Sequence, residues 1–272
     1  MPRIILDKNV LQAAKADELC ALAKRNTILL PQVLLYEIVT DSSPDAKPVA
    51  WFSHLSRIDG LKVRFCRRLP DLFREEMRKA VPITSVISKT QTAYLHQLLR
   101  VDPASWPDLR RMVRPSHRQG QSDEVVFARK NLLNLASNDP GFQECLRNMR
   151  SIAQEQHCNP AAAARLALGD LPWRMWKEHH PCLPLLATPK SITFMELFLK
   201  IYQVMRRTVD GYAGMADKGL FNEVLDKDYL LPLVCADGLI SGEKIVRETA
   251  RAFFPGKLVW GSIGEAISSR AP

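Results

Sequence analysis

Paired cysteines, long apolar runs and glycine-rich loops are all scarce in this chain of 272 residues. Its six cysteines, Cys20, Cys66, Cys145, Cys158, Cys182 and Cys235, form no Cys-x-x-Cys pair and read as reduced, mostly buried thiols rather than a disulfide or zinc framework. His157-Cys158 and His179-His180-Pro181-Cys182 likewise lack the paired spacing of a structural zinc site. No apolar stretch approaches the roughly 18 residues that a spanning helix needs. The opening, Met1 to Leu6, is too short and too soon charged for a signal peptide, so the expected location is cytoplasmic, with no membrane partner. Neither a Gly-x-Ser-x-Gly turn nor a Gly-rich phosphate loop occurs, which argues against serine-hydrolase and nucleotide-driven chemistry. There is no internal repeat and no low-complexity tract.

What is present is an ordinary globular composition, 46% hydrophobic and 25% charged, with a formal net charge of +9. The length suits one large domain or two modest ones. The charge is unevenly spread. Between Ser43 and Asp210 there are 26 Lys and Arg against 16 Asp and Glu, a net of +10, so the two ends together carry 12 against 13. The dense points are Arg64, Arg67 and Arg68; Arg110, Arg111, Arg114 and Arg118; Arg147 and Arg150; and Arg206 with Arg207. A polyanionic partner is the expectation, with Arg64, Arg67, Arg68, Arg110, Arg111, Arg114, Arg206 and Arg207 as candidate nucleic-acid contacts, because the planar guanidinium fork suits phosphate.

The ends read as α/β. Arg3-Ile4-Ile5-Leu6 is a short apolar strand closed by Asp7, and Leu11, Ala14, Leu19 and Leu22 then recur at near-helical spacing as far as Arg25. Thr27-Ile28-Leu29-Leu30 is a second strand, with Pro31 opening a helix that carries Glu37. Later come a helix over Ile192 to Arg207, another over Asn222 to Leu233, a strand over Gly238 to Ser241, a helix over Lys244 to Phe254, and a strand over Lys257 to Trp260. Alternation of this kind predicts a mainly parallel sheet, with ligands gathered at the carboxyl ends of its strands. The residues between Ser43 and Asp210 are chopped by proline and read as a basic, mostly helical insertion, with one edge strand near Leu61 to Phe65. Residues 1–42 and 211–272 would then form one core interrupted by residues 43–210. Trp51, Trp106, Trp173 and Trp176 are expected in the core more than on bases.

Five acids are placed by this pattern near one sheet edge: Asp7 after the first strand, Glu37 one turn into the next helix, Asp226 and Asp228 near the start of a late helix, and Glu243 two residues after Ser241. Asp226 and Asp228 read equally as helix N-caps. Oxygen-only ligands suit Mg²⁺ or Mn²⁺, with Asp7, Asp226, Asp228 and Glu243 as candidate metal ligands. Such a metal assists phosphodiester cleavage.

Ile4-Ile5-Leu6-Asp7-Lys8-Asn9-Val10-Leu11 resembles the opening strand of PIN-domain nucleases, and Tyr36-Glu37-Ile38 resembles their second acidic position. Asn222 to Leu230, followed by Cys235 to Lys244, is similar to the third and fourth acidic segments, with Ser241 at a position where a small hydroxyl often precedes the last acid. The resemblance covers only the two ends. It implies a three-layer α/β fold, an Mg²⁺ or Mn²⁺ pocket of Asp7, Glu37, Asp226 or Asp228, and Glu243, and metal-dependent hydrolysis of nucleic acid, RNA favoured over DNA. It leaves room for an inhibitor or regulatory protein and for a homodimer, as in toxin or defence systems. Two other readings compete. One is a PIN-like nucleic-acid-binding or scaffolding protein with weak or no catalysis, suggested by Glu223 and Glu243 where the family more often has Asp. The other is a metal-independent HEPN-type ribonuclease using Arg174 and His179, or Arg111 and His117.

Overall fold

The fold is described from a computed structural model, which covers residues 1–34, 37, 62–98, 140–209 and 226–269. Arg110, Arg111, Arg114, Arg118, His117, Trp51, Trp106, Asn222 and Glu223, and the side chain of Arg207, lie outside the described residues.

The chain opens with β1 (Arg3–Leu6), whose Ile4, Ile5 and Leu6 are all fully buried. Apolar side chains on both faces are the mark of a strand covered on both sides. The helical pattern that follows is broken into α1 (Lys8–Ala13) and α2 (Ala16–Arg25), not continuous as its periodicity predicts. Ala14 and Lys15 are extended, and the Glu18 carboxylate accepts the Lys15 N–H at 3.0 Å, closing a new N-terminus. After β2 (Thr27–Leu30), β3 (Val63–Cys66) continues the sheet. Then come α3 (Leu69–Lys79), β4 (Ile87–Ser88), α4 (Lys89–Leu98), α5 (Pro140–Glu155), α6 (Pro160–Ala167), α7 (Leu171–His179) and α8 (Ile192–Val209). Residues 226–230 are helical and tighten into a 3₁₀ turn, Leu231–Val234, where the sequence predicts one helix through Leu233. The chain finishes with β5 (Gly238–Ile240), α9 (Lys244–Phe253), β6 (Leu258–Trp260) and α10 (Ile263–Ser268).

The strands form one six-stranded sheet in the order β4-β3-β2-β1-β5-β6, parallel except for β4. The expected edge strand near Leu61 to Phe65 is therefore an interior one. It starts at Val63, pairs with β2 in parallel, and is shielded by β4, which at two residues was too short to read from sequence. Gly238 is required where β5 meets β6: a Cβ there would lie 2.7 Å from the Leu258 carbonyl oxygen.

One continuous hydrophobic cluster runs from Ile4 to Ile263 and takes in Val63, Phe142, Ala163, Trp176, Phe194 and Phe198 from the basic middle of the chain. Trp173 and Trp176 are core residues. Their rings lie 5.1 and 5.7 Å from Phe194, and their indole N–H groups donate to the carbonyls of Ala187 and Leu183. A fully buried carboxylate, Glu76 on α3, anchors the start of α8. It accepts from the Ile192 and Thr193 N–H groups at 3.0 and 2.9 Å and from the Ser191 and Thr193 hydroxyls at 2.7 and 2.8 Å, with the Ile83 N–H at 3.0 Å as a fifth donor. All six cysteines are free thiols; Cys66, Cys145 and Cys235 are buried and Cys182 is exposed. Among the described residues no helix is long and apolar enough to cross a membrane.

Candidate active site at the carboxyl edge of the sheet

The winding of the sheet picks out a place. From β1 the chain moves outward through β2 to β3, and later returns to the other side of β1 as β5 and then β6. In an open parallel sheet the carboxyl ends of the two strands flanking such a reversal leave a crevice for ligands. Here those strands are β1 and β5, which are followed directly by Asp7 and Ser241. The Asp7 N–H donates to the Ile240 carbonyl at 3.1 Å, so the two ends are held in register.

Asp7 is 4% exposed. One carboxylate oxygen caps α1 by accepting the Asn9 N–H at 2.6 Å; the other accepts the hydroxyl of the fully buried Ser241. The Ser241 oxygen in turn accepts the Glu243 N–H at 3.1 Å, and the Asn9 side-chain amide donates to the Glu243 carboxylate at 2.9 Å. Glu37, on the helical residues that follow β2, accepts the hydroxyl of Tyr229, a buried side chain from the turn at 226–230. Four separate segments thus converge.

The electrostatics agree with the geometry. Burial pushes the Glu37 carboxyl above its ordinary range, and the charges of Asp7 and Glu243 push the same way against the Tyr229 hydrogen bond and the attraction of Lys8. The Glu243 carboxyl is also raised, by local burial first and by Asp7 second, with the Asn9 hydrogen bond opposing. Because Glu243 is largely exposed, its shift carries less weight than that of Glu37. The Tyr229 phenol is held well above its usual value by burial and then by the Glu37 charge, so it stays a donor.

Of the acids expected from sequence, Asp7, Glu37 and Glu243 are thus brought together. Asp226 and Asp228 are half-buried on either side of Lys227, on the turn that delivers Tyr229; Lys227 itself is buried and lies 3.3 Å from Glu196. Sequence reasoning missed the roles of Asn9 and Tyr229. Each acts on a carboxylate about 200 residues away, 234 and 192 positions respectively, a distance at which no local pattern signals a pairing.

Three carboxylates with hydroxyl and amide support, and no sulfur or imidazole, fit a hard divalent cation in kind. The raised carboxyls of Glu37 and Glu243, each pushed up by burial and by the charge of Asp7, also fit it in sign, since a cation relieves both repulsion and desolvation. In spacing the set is open: among the described residues no three His, Cys, Asp or Glu side chains gather as a ready-made metal-holding group. Mg²⁺ held through one or two carboxylates and several waters needs no closed cage.

The candidate nucleic-acid contacts divide. Arg68 is exposed just beyond the carboxyl end of β3, on the sheet edge that carries Asp7, whereas Arg67 beside it is ion-paired with Glu75. Arg64 and Arg206 are half-buried, and Arg64 donates to the Val63 carbonyl at 3.1 Å. On α7, Arg174 lies 3.2 Å from Asp170, while His179 is exposed at the helix end. Comparison with family models, with curated proteins and with solved structures finds no match to this chain.

Proposed function

We propose that this chain is a metal-dependent nuclease of the PIN-like type, hydrolysing phosphodiester bonds of nucleic acid, RNA ahead of DNA. The observation that carries the reading is the meeting of Asp7, Glu37 and Glu243 at the carboxyl edge of the sheet, beside the point where the winding reverses. Their order along the chain, one acid after the first strand, one after the second and one after β5, with the turn at 226–230 packed against Glu37 through Tyr229, supports the PIN-like assignment.

Asp7 and Glu243 would hold Mg²⁺ or Mn²⁺, with Glu37 behind them and Asp226 or Asp228 completing the set. When bound there, the metal would lower the pKa of a water and set a positive charge against the phosphate. Ser241 and Asn9 keep the Asp7 and Glu243 carboxylates pointed in fixed directions by donating to them. Burial makes the Glu37 carboxylate a stronger base, suited to taking the proton from an attacking water. The basic middle of the chain offsets the repulsion between an acidic pocket and a polyanion.

Incubation with labelled RNA and single-stranded DNA in Mn²⁺, with and without EDTA, tests this. Cleavage is expected only with metal, and Asp7→Asn, with its fold retained, is expected to abolish it; full activity of that variant would sink the assignment. A second reading, a PIN-like binding or scaffolding module, is favoured by the open spacing of the carboxylates. Salt-dependent binding without cleavage under any divalent cation selects it. Cleavage indifferent to EDTA would favour Arg174 and His179 instead.

A further inference from the structure

Arg247 shares the sheet edge of the carboxylates but is ion-paired with no acid among the described residues. It stands in the first turn of α9, half-buried, and its Nη1 donates to the carbonyl oxygens of Ser241 at 2.8 Å and Gly242 at 2.7 Å. A Cβ built on Gly261 would lie 3.6 Å from its Cζ, so the guanidinium lies between the carboxyl ends of β5 and β6. Both acceptors are neutral backbone groups, and both use the same terminal nitrogen. Nε and Nη2 make no hydrogen bond or ion pair with any described residue.

The nearby acids are engaged elsewhere. Glu243 accepts from Asn9, Glu248 lies 3.8 Å from the Lys244 ammonium, and Glu265 accepts the Gly261 N–H at 2.5 Å. A guanidinium immobilised by two carbonyls, with one donor edge left over and no described carboxylate within ion-pair distance, is prepared for an external anion. The loop it grips, Ser241 and Gly242, is the one that orients Asp7 and leads into Glu243.

We propose that Arg247 holds a backbone phosphate of the nucleic-acid substrate, next to the one being cleaved, through Nε and Nη2. This rests on the nuclease reading above. Through its grip on the Ser241 and Gly242 carbonyls it adds an anchored cation to the loop that leads into Glu243.

The test is binding of a short, fluorescently labelled single-stranded RNA to the full chain in EDTA, where metal-dependent cleavage is silent, read by anisotropy over a range of KCl. In Arg247→Gln, which keeps an N–H donor for the loop carbonyls but no charge, the slope of log affinity against log salt should fall by about 0.7, the value of one phosphate contact on a single strand. Affinity at low salt should drop severalfold. An unchanged slope and affinity, in a variant with the wild-type melting temperature, overturns the assignment and leaves the nuclease reading standing. Failure of the wild-type chain to bind any nucleic acid overturns both. Should Arg247→Gln not fold, Arg247→Lys decides: it keeps the charge and the slope but loses the two-nitrogen grip, so a severalfold weaker affinity supports the proposal and an equal affinity overturns it.

Discussion

Glu37 accepts a hydrogen bond from the Tyr229 hydroxyl, yet burial still holds its carboxyl above the ordinary range, and that imbalance has a measurable sign. Between the ordinary carboxylate value and the raised one, the folded chain binds more protons at this site than the unfolded chain does. Stability therefore falls as pH rises through that window, and the cost remains above it. Glu37→Gln removes the charge while its carbonyl oxygen can still accept from Tyr229. It should raise the urea midpoint at pH 7 and leave it nearly unchanged at pH 4; a variant less stable than wild type at pH 7 contradicts the account. Asp7 was legible in the sequence because an acid directly after an apolar strand has only the strand's carboxyl end to occupy. The partners that hold the carboxylates were not, since hydrogen bonds from Tyr229 and Asn9 depend on segments that meet only after folding.

At the scale of elements, the start of α8 shows how a helix of 18 residues is fixed in place. Its first N–H groups have no partner within the helix, and Glu76 from α3 supplies one from inside the core. Glu76→Ala would orphan these donors and leave a cavity at full burial. The expected cost is about 3 kcal/mol or more, measured as a lower denaturant midpoint at unchanged slope. A loss of only a few tenths would show that water replaces the carboxylate. Nothing in the sequence marks Glu76, because Arg74, Glu75, Arg78 and Lys79 around it read as a solvated helix face. The break between α1 and α2 was hidden for a related reason: apolar spacing continues across Ala14 and Lys15, and only the hydrogen bond from Lys15 to Glu18 decides that the helix restarts.

Over the whole molecule, a cation that bound Asp7 and Glu243 in the folded chain and not in the unfolded one, as the proposed function requires, would stabilise the fold by mass action. Mn²⁺ at a hundred times its dissociation constant should add about 2.7 kcal/mol, seen as a higher melting temperature. Asp7→Asn should lose most of that gain at the same concentration, and an equal gain in both proteins would place the cation elsewhere. The basic middle of the chain has a double part at this scale. It holds the positive excess, and it also supplies β3 to the interior of the sheet and Trp176, Phe194 and Phe198 to the common core.

The sequence by itself determined the alternation of strands and helices at the two ends, the parallel pairing of those strands, and the edge at which Asp7 and Glu243 emerge. These follow from local apolar runs and from the short range over which helix and strand periodicity acts. Only the tertiary structure decided that residues 63–66 lie inside the sheet, that Tyr229 meets Glu37, and that Arg247 grips the carbonyls of Ser241 and Gly242. Each of those depends on which distant segments exclude water from one another, and burial of that kind carries no signature in the residues nearby.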